Sequence, residues 1–338
     1  MPAATPPSHR DLTVALPTCN GARHLAEALR SILIQGGDFD LIVSDDRSED
    51  TTVAIVREVA GDRAQILTNS ERLGLAGNWN RCVTLASTPL VTIFHQDDVM
   101  RPGHLTAHRD AFARDANLGL VASAAGVIDD SGRPVPESIV GRGGLGDRDL
   151  TFAPGESVRA MAIENPLRCS AVSLRARAHT AVGGFDASYR YVVDWDFWLR
   201  IGRDWAIAWL ARPTVDIRWH LASETHRFAT GTTDLDETTR LLDTLFSSVG
   251  RAWPDATSLR RLADRRLSRA FLNRSHVALI GGDPQLARTA MRRAFALWPG
   301  IVATIARDPR LAAQMAALLV APRWSARFFG SSKVPGGS

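Results

Sequence analysis

Three places in the sequence carry carboxylates in arrangements that suit ligand binding or catalysis. The first is the pair Asp45 and Asp46, the second is the pair Asp97 and Asp98, and the third is Asp194. Carboxylate oxygens are the preferred ligands of hard divalent cations, and they also accept hydrogen bonds from N–H groups. The sequence therefore offers acidic groups for a metal-bound, phosphorylated ligand, provided that the fold brings them together.

The first acidic pair also has a purely structural explanation. The segment from Asp45 to Thr51 lies between a predicted strand and a predicted helix, where Ser48 or Asp50 would cap the helix. Capping does not require two adjacent carboxylates, and a polar ligand or a cation would relieve their repulsion at the ligand edge of a sheet. Taken alone, this pair supports ligand binding and capping about equally.

The second acidic pair follows another buried strand and precedes Pro102, a residue that suits the first turn of a helix. Mg²⁺ and Mn²⁺ are usually held by one or two carboxylates together with substrate phosphates, which fits Asp97 and Asp98. Without the first pair, an acidic loop that caps the next helix would be the better explanation.

The elements that must position these loops alternate between short apolar runs and amphipathic segments, which is typical of βαβ units and a mainly parallel sheet. The predicted strands are 12–16, 41–43, 65–67 and 90–94, and the predicted helices are 22–35, 51–60 and 78–87. Open α/β sheets bind ligands beyond the carboxyl ends of their strands. We therefore expect Cys19, Asp46 and Asp98 to converge on one crevice.

The rest of the chain is less regular. Residues 126–155 are rich in glycine, proline and charge, and we expect a long mobile connection that acts as a lid or an acceptor loop. A helix is expected to begin near Asp194, and closing strands are expected at 205–210 and 214–219.

After about residue 235 the pattern is helical only. Residues 287–299 resemble the second helix of a tetratricopeptide-type hairpin, although one copy is not a repeat array. The apolar face and the arginines of 311–329 suit either a membrane surface or packing against the preceding domain.

Composition places the chain among globular proteins and limits its partners. It has 338 residues, of which 45% are hydrophobic, and a net charge of +4. We find neither a membrane-spanning apolar run nor a signal peptide, so a cytoplasmic location is expected. The three cysteines lack the spacing of a disulfide framework or a zinc site. Nucleic acid is not an expected partner, because no recognition motif accompanies the basic residues of 260–327.

Four segments match one enzyme family in order and spacing. They are 16–22 (Leu-Pro-Thr-Cys-Asn-Gly-Ala), 31–35 (Ser-Ile-Leu-Ile-Gln), 43–51 (Val-Ser-Asp-Asp-Arg-Ser-Glu-Asp-Thr) and 96–98 (Gln-Asp-Asp). Together they resemble glycosyltransferase family 2 over roughly residues 12–221. This resemblance implies the GT-A fold, an α/β fold with a Rossmann-like, mainly parallel sheet flanked by helices.

The resemblance also implies a division of the chain. The expected parts are a disordered tail at 1–10, a nucleotide-sugar-binding half at 11–123, an acceptor-binding half with the catalytic base at 124–234, an α-helical appendix at 235–330 and a second disordered tail at 331–338.

Roles for individual residues follow by position. The residues expected to contact the nucleotide are Pro17, Thr18, Cys19, Asp46, Arg72, Asn78 and Asp97. Asp46 would accept a hydrogen bond from a ring N–H of the base. Cys19 stands where the family often has an aromatic residue that packs on the base. Asn78 has the alternative role of a helix cap beside a glycine loop.

The same resemblance implies a metal site. Asp98, helped by Asp97, would hold Mg²⁺ or Mn²⁺ on the diphosphate, and His220 would be a further metal or phosphate contact. A lone histidine such as His220 is more often structural than a ligand. His95 stands where many family members have the first acid of an Asp-x-Asp motif.

Asp194 matches the catalytic base of the family. Its motif has Val193 in place of the usual glutamate, and the preceding Gly-Gly-Phe-Asp at 183–186 matches the usual lead-in. Two carboxylates spaced by one residue at a helix start also suit a cap, and Asp196 would be a supporting residue.

The function implied is metal-dependent, inverting transfer of a hexose or deoxyhexose from a nucleoside-diphosphate sugar to a hydroxyl of a glycan or lipid-linked acceptor. The motif variants resemble the bacterial rhamnosyltransferase branch, which makes dTDP-sugars candidates beside UDP-sugars. We expect a role in cell-surface polysaccharide synthesis, either free in the cytoplasm or with the C-terminal helices resting on the inner face of the membrane.

Other functions were weighed against this one. A noncatalytic nucleotide-sugar-binding protein is the main alternative, because His95 and Val193 both depart from the catalytic pattern. A sugar nucleotidyltransferase would need a glycine-rich basic loop after the first strand, which 17–21 lacks. A scaffold organised by the helical region is a third alternative, and full transferase activity after removal of the residues beyond Asp243 would show that scaffolding is at most an added role.

Overall fold

A computed structural model of the chain describes residues 10–136, 144–220 and 227–307, and beyond them only positions 309, 312, 313 and 316. The chain divides into two compact units, Met1–Leu221 and Ala222–Ser338. The expected tail at 331–338 lies outside the described residues, as does most of 311–329. The expected N-terminal tail does so too, except for Arg10, which pairs with Asp38 and Asp40.

The first unit contains nine strands and seven α-helices within its described ranges. The strands are β1 (Leu12–Thr18), β2 (Asp40–Asp45), β3 (Ala64–Thr68), β4 (Leu90–Ile93), β5 (Val99–Met100), β6 (Leu118–Ile128), β7 (Leu150–Phe152), β8 (Val172–Arg175) and β9 (Ala206–Arg218). The helices are α1 (Leu25–Leu33), α2 (Thr52–Ala60), α3 (Gly74–Leu85), α4 (His104–Arg114), α5 (Glu156–Ala160), α6 (Ala176–Ala181) and α7 (Val193–Asp204).

One mixed sheet contains all nine of these strands, in the order β3-β2-β1-β4-β8-β6-β9-β5, and β7 also pairs with β9. Strands β1 to β4 are parallel to one another, as predicted, because α1, α2 and α3 supply the crossovers that parallel neighbours need. In the second half, β8 lies antiparallel to both β4 and β6. The second half of the sheet is mixed, because β6 and β9 are parallel to each other whereas β5 and β7 lie antiparallel to β9.

Strand β9 replaces the two closing strands predicted at 205–210 and 214–219. It runs unbroken from Ala206 to Arg218, with an irregularity in its pairing to β6 between Leu210 and Val215. Pro213 lies inside this irregularity, where its missing N–H removes no regular ladder hydrogen bond. The sequence pattern showed the interruption at the proline but not the continuity of the strand through it.

Helix α1 buries the face that the sequence predicted. Leu25, Ala28, Leu29 and Ile32 are all fully buried, and they belong to the same core cluster as Leu16 of β1. Each buried leucine or isoleucine side chain contributes about 1.5–3 kcal/mol relative to an exposed one. This packing fixes the start of α1 next to the loop after β1.

Two buried histidines form part of a polar network between α4 and the sheet. His104 Nδ1 lies 2.7 Å from Thr214 Oγ1, and His108 Nδ1 lies 2.8 Å from Ser173 Oγ. The two rings are 4.1 Å apart. Burial lowers the pKa of His104 to about 3 and lowers that of His108 well below its usual value, so both rings are neutral at physiological pH.

We expect His104 to make the protein less stable in mild acid. Because the pKa of His104 falls from 6.5 to about 3 on folding, the unfolded chain binds a proton between those values that the folded chain does not. The free energy of unfolding therefore rises with pH across that window, and the His104 share of the loss at pH 5 is about 2 kcal/mol. Urea unfolding of the wild type and of His104→Asn, near pH 5 and near pH 7, measures this change in the free energy of unfolding. If the free energy of unfolding fell by the same amount in both proteins between pH 7 and pH 5, the assignment would be wrong.

The second unit is helical, in agreement with the sequence pattern. Over 227–307 its α-helices are α8 (Thr233–Ser247), α9 (Ala256–Ile280), α10 (Pro284–Leu297) and α11 (Ile301–Ala306). Asp283 caps α10 by accepting a hydrogen bond from the N–H of Leu286 at 2.9 Å. The hydroxyls of Ser268 and Ser275 on α9 donate to carbonyl oxygens of α10, which joins these two helices as a hairpin. Across the ranges that are described, no helix has both the length and the apolar character needed to cross a membrane.

Candidate active site

The loops that follow β1 and β2 are tied together at one edge of the sheet. Asn20 and Arg47 have positive φ angles of 49° and 56°, a region in which asparagine is more common than most residues. The side chain of Asn20 accepts a hydrogen bond from the N–H of Glu49 at 2.8 Å. The N–H of Gly21 donates to Thr52 Oγ1, also at 2.8 Å. The predicted convergence of these loops is therefore found.

Gln96 connects the loop after β4 to the loop after β1. Its side-chain oxygen accepts a hydrogen bond from the N–H of Cys19 at 3.0 Å, and its amide donates to the Cys19 carbonyl at 3.2 Å. A Cβ atom on Gly21 would lie 2.1 Å from Gln96 Oε1, so a larger residue there would displace the glutamine. The loops that carry the Cys-Asn-Gly and Gln-Asp-Asp motifs therefore pack directly against each other.

Asp45 stabilises the turn after β2. Its carboxylate accepts hydrogen bonds from the hydroxyls of Thr18 and Ser48, at 3.1 and 2.5 Å, and from the N–H of Ser48 at 3.0 Å. Pro17 and Thr18 are buried within β1, and the nucleotide contact of the loop from Pro17 to Cys19 stays a prediction. Cys19 is only partly buried, and it is the first side chain of this loop that a ligand can reach.

Asp46 organises the start of α3. It is 4% exposed, and its Oδ1 accepts hydrogen bonds from Asn69 Nδ2 at 2.7 Å and from the N–H of Leu73 at 2.8 Å. Its Oδ2 accepts from the N–H of Gly74 at 2.9 Å. Donors of the protein, rather than a ligand or a cation, therefore relieve the repulsion expected for the first acidic pair.

Asn78 supports Asp46 from inside the fold. Its Nδ2 donates to the carbonyl of Ser44 at 2.9 Å, and its Oδ1 accepts from Ser44 Oγ at 2.7 Å and from Asn69 Nδ2 at 3.2 Å. It is 4% exposed, and α3 begins four residues earlier at Gly74. The helix cap predicted for Asn78 is therefore wrong, because the residue lies inside α3 and positions Asn69. Its contact with a nucleotide stays a prediction.

Arg72 lies between three of the loops. Its Nη1 is 3.4 Å from Cys19 Sγ, and its Nη2 is 3.1 Å from Glu49 Oε1 and 3.2 Å from the carbonyl of Arg47. The side chain remains 46% exposed. Arg72 is therefore a cationic group that a phosphate can reach, and its contact with the nucleotide stays a prediction.

The second acidic pair belongs to a group suited to a metal. Ligand atoms of His95, Asp97 and Asp98 all lie within 4.8 Å of one another. Asp98 is 3% exposed, and its two oxygens accept hydrogen bonds from Ser170 Oγ at 2.5 Å and from the N–H of Arg218 at 2.9 Å. The carboxylate is therefore fixed in place, which is what a binding site for a cation requires.

His95 joins this group although it replaces the family's usual acid. Its Nδ1 lies 3.9 Å from Asp98 Oδ2, and its ring stacks on Trp79 with centroids 5.3 Å apart. Its Nε2 is buried and has no hydrogen-bond partner within the described ranges. Burial lowers the pKa of His95, against the nearby charges of Asp97 and Asp194, so the ring is neutral and can act as a ligand.

His220 contacts Asp97 and not Asp98 directly. Its Nε2 lies 2.9 Å from Asp97 Oδ2, and its ligand atoms group with those of His24 and Asp130. His220 thus meets the other acid of the pair, and its role as a metal or phosphate contact stays a prediction. His220 lies just after the end of β9, and it contacts the group of His95, Asp97 and Asp98 through Asp97.

The two acids of the second pair have opposite pKa shifts. Burial raises the pKa of Asp98 to about 8, and the charge of Asp97 adds to the effect. Burial also opposes ionisation of Asp97, but the hydrogen bond with His220 and the electrostatic effects of His95 and His220 together outweigh burial, so the pKa of Asp97 is lowered. An unpaired negative charge at Asp98 is therefore costly, and a divalent cation would offset that cost. The donor set of two carboxylates and one neutral imidazole fits such a cation.

Asp194 lies in the first turn of α7, near this group. Its Oδ2 accepts a hydrogen bond from Asn165 Nδ2 at 2.8 Å, and its Oδ1 accepts from the N–H of Trp195 at 2.7 Å. The charge of Asp194 acts on the pKa of His95. Asp194 is therefore close enough to interact electrostatically with the metal-type group, which consists of His95, Asp97 and Asp98. Asp196 is engaged by Arg200, with Nε and Nη2 at 2.9 and 2.7 Å, so it stabilises α7.

Sequence reasoning missed several residues that hold the site together. Arg218 has a side chain that is 1% exposed, donates to the carbonyl of Asp97 at 2.9 Å and pairs with Glu27 at 2.6 Å. Ser170 and Asn165 fix the carboxylates of Asp98 and Asp194. Arg218 belongs to the segment Arg218-Trp219-His220, which resembles an Arg-x-x-His element of the family, but that motif does not reveal these contacts. Ser170 and Asn165 lie in no recognisable motif and their partners are far away in sequence, so no local signal identifies them.

Comparisons with known proteins agree with this geometry. A family model, glycosyl transferase family 2, matches residues 13–163. An uncharacterized protein of Mycobacterium tuberculosis is 31% identical over 222 residues, which cover 64% of this chain and 69% of that protein. The GalNAc(5)-diNAcBac-PP-undecaprenol beta-1,3-glucosyltransferase of Campylobacter jejuni is 35% identical over 99 residues, which cover 28% of this chain and 32% of that enzyme. The chain belongs to glycosyltransferase family 2.

Solved structures establish the fold. TarS of S. aureus (residues 1–349), in complex with UDP-GlcNAc, aligns over 95% of this chain and 91% of its own, with 16% identity and a TM-score of 0.61. The mannosyltransferase PcManGT of Pyrobaculum calidifontis, in complex with GDP-Man and Mn²⁺, aligns over 97% of this chain and 89% of its own, with 17% identity and a TM-score of 0.54. The GT-A fold predicted from the resemblance is therefore confirmed.

Proposed function

We propose that this chain transfers a sugar from a nucleoside-diphosphate sugar to an acceptor hydroxyl, with inversion at the anomeric carbon. The observation that carries the proposal is the proximity of two different acidic centres at one edge of the sheet. The metal-type group of His95, Asp97 and Asp98 is one, and the oriented carboxylate of Asp194 is the other. Such separation of a diphosphate-binding site from a proton acceptor is what this reaction needs.

The metal-type group would take Mg²⁺ or Mn²⁺ on the donor diphosphate. Asp98 and Asp97 supply the carboxylates, and His95 supplies a neutral imidazole. When bound, the cation neutralises negative charge that builds on the departing diphosphate. The complex of the mannosyltransferase PcManGT with GDP-Man and Mn²⁺ supports this assignment.

The donor nucleotide would lie over the loops after β1 and β2. Cys19 is partly exposed there, and Arg72 offers a guanidinium to the phosphates. Asp46 remains our candidate for accepting a base N–H, since its Oδ2 takes only one hydrogen bond within the described ranges. The related structures hold UDP-GlcNAc and GDP-Man, and we propose a UDP- or dTDP-sugar for this chain.

Asp194 would act as the general base. It accepts the proton of the acceptor hydroxyl while that oxygen forms a bond to the anomeric carbon, and the bond to the diphosphate oxygen breaks on the opposite face. Asn165 fixes one carboxylate oxygen of Asp194 at 2.8 Å, which orients the base before the acceptor arrives.

The acceptor and the cellular role are proposed from relatives. The Campylobacter jejuni enzyme acts on an undecaprenol-linked sugar, so we propose a glycan or lipid-linked acceptor and a role in cell-surface polysaccharide synthesis. We further propose that the chain works at the inner face of the membrane, in peripheral contact through its C-terminal helices.

Donor binding and turnover test this proposal together. A thermal-shift screen of UDP, dTDP and GDP with Mn²⁺ should raise the melting temperature for one base more than for the others. The matching nucleotide-sugar should then be hydrolysed slowly without acceptor, and only when a divalent cation is present. Binding without any metal-dependent turnover would favour a noncatalytic nucleotide-sugar-binding protein instead.

A further inference from the structure

The longest described helix of the second unit carries arginines and apolar side chains on one exposed face. Helix α9 spans the 25 residues Ala256–Ile280, and an α-helix turns by about 100° per residue, so residues three, four, seven and eight positions apart share a face. The exposed residues that share one face of α9 are Leu262, Arg265, Arg266, Arg269, Asn273 and Val277. The opposite face is buried, and it includes Ala263, Leu267, Phe271 and Ala278.

The exposed face of α9 is positively charged and has no carboxylate. All residues of α9 are described, and its single acid is Asp264, which is 21% exposed and accepts a hydrogen bond from Arg260 Nε at 2.9 Å. Arg261 lies at the edge of the exposed face. Like Arg265 and Arg269, it is exposed and forms no ion pair with any described residue. These three arginines therefore present their charge to solvent.

The excess of positive charge extends over the second unit. Residues 227–307 contain 13 arginines and seven carboxylates. Several of the carboxylates are engaged within the unit, because Asp234 pairs with Arg274, Asp236 pairs with Arg293, and Asp283 caps α10. The unit therefore attracts anions, and the exposed arginines of α9 are available to contact an anionic partner.

Exposed apolar side chains accompany these arginines and indicate the kind of partner. Leu262 is 49% exposed and Val277 is 60% exposed, on the same face as the charges. The Arg265 guanidinium carbon lies 4.7 Å from the ring centroid of Trp298, which holds this cation against an aromatic side chain. At a membrane surface, arginines meet lipid phosphates while apolar side chains enter the boundary with the acyl chains. The phosphate backbone of a nucleic acid offers no such apolar layer.

We propose that the exposed face of α9 binds a membrane surface that contains anionic lipid headgroups. The guanidinium groups contact the lipid phosphates, and Leu262 and Val277 lie at the boundary between headgroups and acyl chains. This inference rests on the membrane contact proposed above for the C-terminal helices, and it names the surface and the class of lipid. It would hold the enzyme where a lipid-linked acceptor is concentrated.

Vesicle binding by the full chain tests the proposal without any sugar transfer. Co-sedimentation is measured with vesicles of phosphatidylcholine alone and with vesicles that contain about 30% phosphatidylglycerol. We expect the wild type to bind the anionic vesicles and not the neutral ones, and to bind more weakly as salt rises from about 0.1 M to about 0.5 M. The triple variant Arg261→Gln, Arg265→Gln and Arg269→Gln should bind the anionic vesicles about 100-fold more weakly.

A second triple variant controls for the loss of net charge. Arg30→Gln, Arg57→Gln and Arg114→Gln remove three exposed arginines of the first unit, and this protein should bind anionic vesicles within about threefold of the wild type. Replacing Leu262 and Val277 with asparagine keeps every charge, and we expect this change to weaken vesicle binding about tenfold. Circular dichroism confirms that each variant is folded.

Three results would overturn the proposal. The first is a wild type that does not bind anionic vesicles, and the second is an equal loss of binding in the two triple variants. The third is tighter binding to duplex DNA than to vesicles, lost in the α9 variant, which would assign the surface to nucleic acid. Metal-dependent hydrolysis of the nucleotide-sugar in solution should be the same in the α9 variant and the wild type. Absence of hydrolysis in both proteins would count against the proposed transfer and leave the vesicle result unchanged.

Discussion

Replacing Asp194 with asparagine is expected to lower kcat by about 10²- to 10⁴-fold, the range that general-base catalysis contributes. The amide cannot accept the proton of the acceptor hydroxyl, whereas the diphosphate site at Asp97 and Asp98 keeps its carboxylates. Nucleotide affinity should therefore remain within about twofold of the wild type, because Asp194 touches only the acceptor side in the proposed reaction. Single-turnover transfer and calorimetric binding of the nucleoside diphosphate measure the two effects.

Asp196→Asn is the matched control for this change. Asp196 lies on the same helix, but its carboxylate is engaged by Arg200, so its loss should lower stability more than kcat. An Asp194→Asn protein with normal turnover would remove Asp194 from the role of base. A large loss of nucleotide binding in that variant would instead assign it to the donor site.

Replacing Asp98 with asparagine is expected to remove the metal dependence of donor binding and to lower kcat by about 10³-fold. A cation at a departing diphosphate contributes several kcal/mol, and each 1.36 kcal/mol corresponds to a factor of ten. Asparagine can still accept from the N–H of Arg218 and can donate to Ser170 Oγ, so the fold around the side chain is kept. Mn²⁺ titrations of nucleotide affinity and of rate measure the effect.

Ser170→Ala is the control that separates charge from position. It removes the hydrogen bond to Asp98 Oδ2 but leaves the carboxylate, so Mn²⁺ dependence should persist with weaker affinity. If Asp98→Asn bound nucleotide with the same Mn²⁺ dependence as the wild type, Asp98 would not be a metal ligand. His95 and Asp97 would then have to hold the cation without it.

The sequence determined the first half of the sheet and the place of the site. The 3.6-residue period of α1 and the short apolar runs before the polar loops are local signals, and each depends on residues close together in the chain. Because parallel strands end at one edge, the loops after β1, β2 and β4 had to meet there. The acidic pairs were found in this way, whereas Asp194 was assigned by the resemblance to the family.

The tertiary structure alone decided what each polar side chain contacts. Asp46 faces Asn69 and the start of α3, Asn78 is buried beneath it, and His220 meets Asp97 instead of Asp98. These outcomes depend on side-chain directions and on partners that are tens of residues away, so no local period or spacing carries them. The proximity of His24, Asp130 and His220 has the same origin, because these residues become neighbours only when three separate segments pack together.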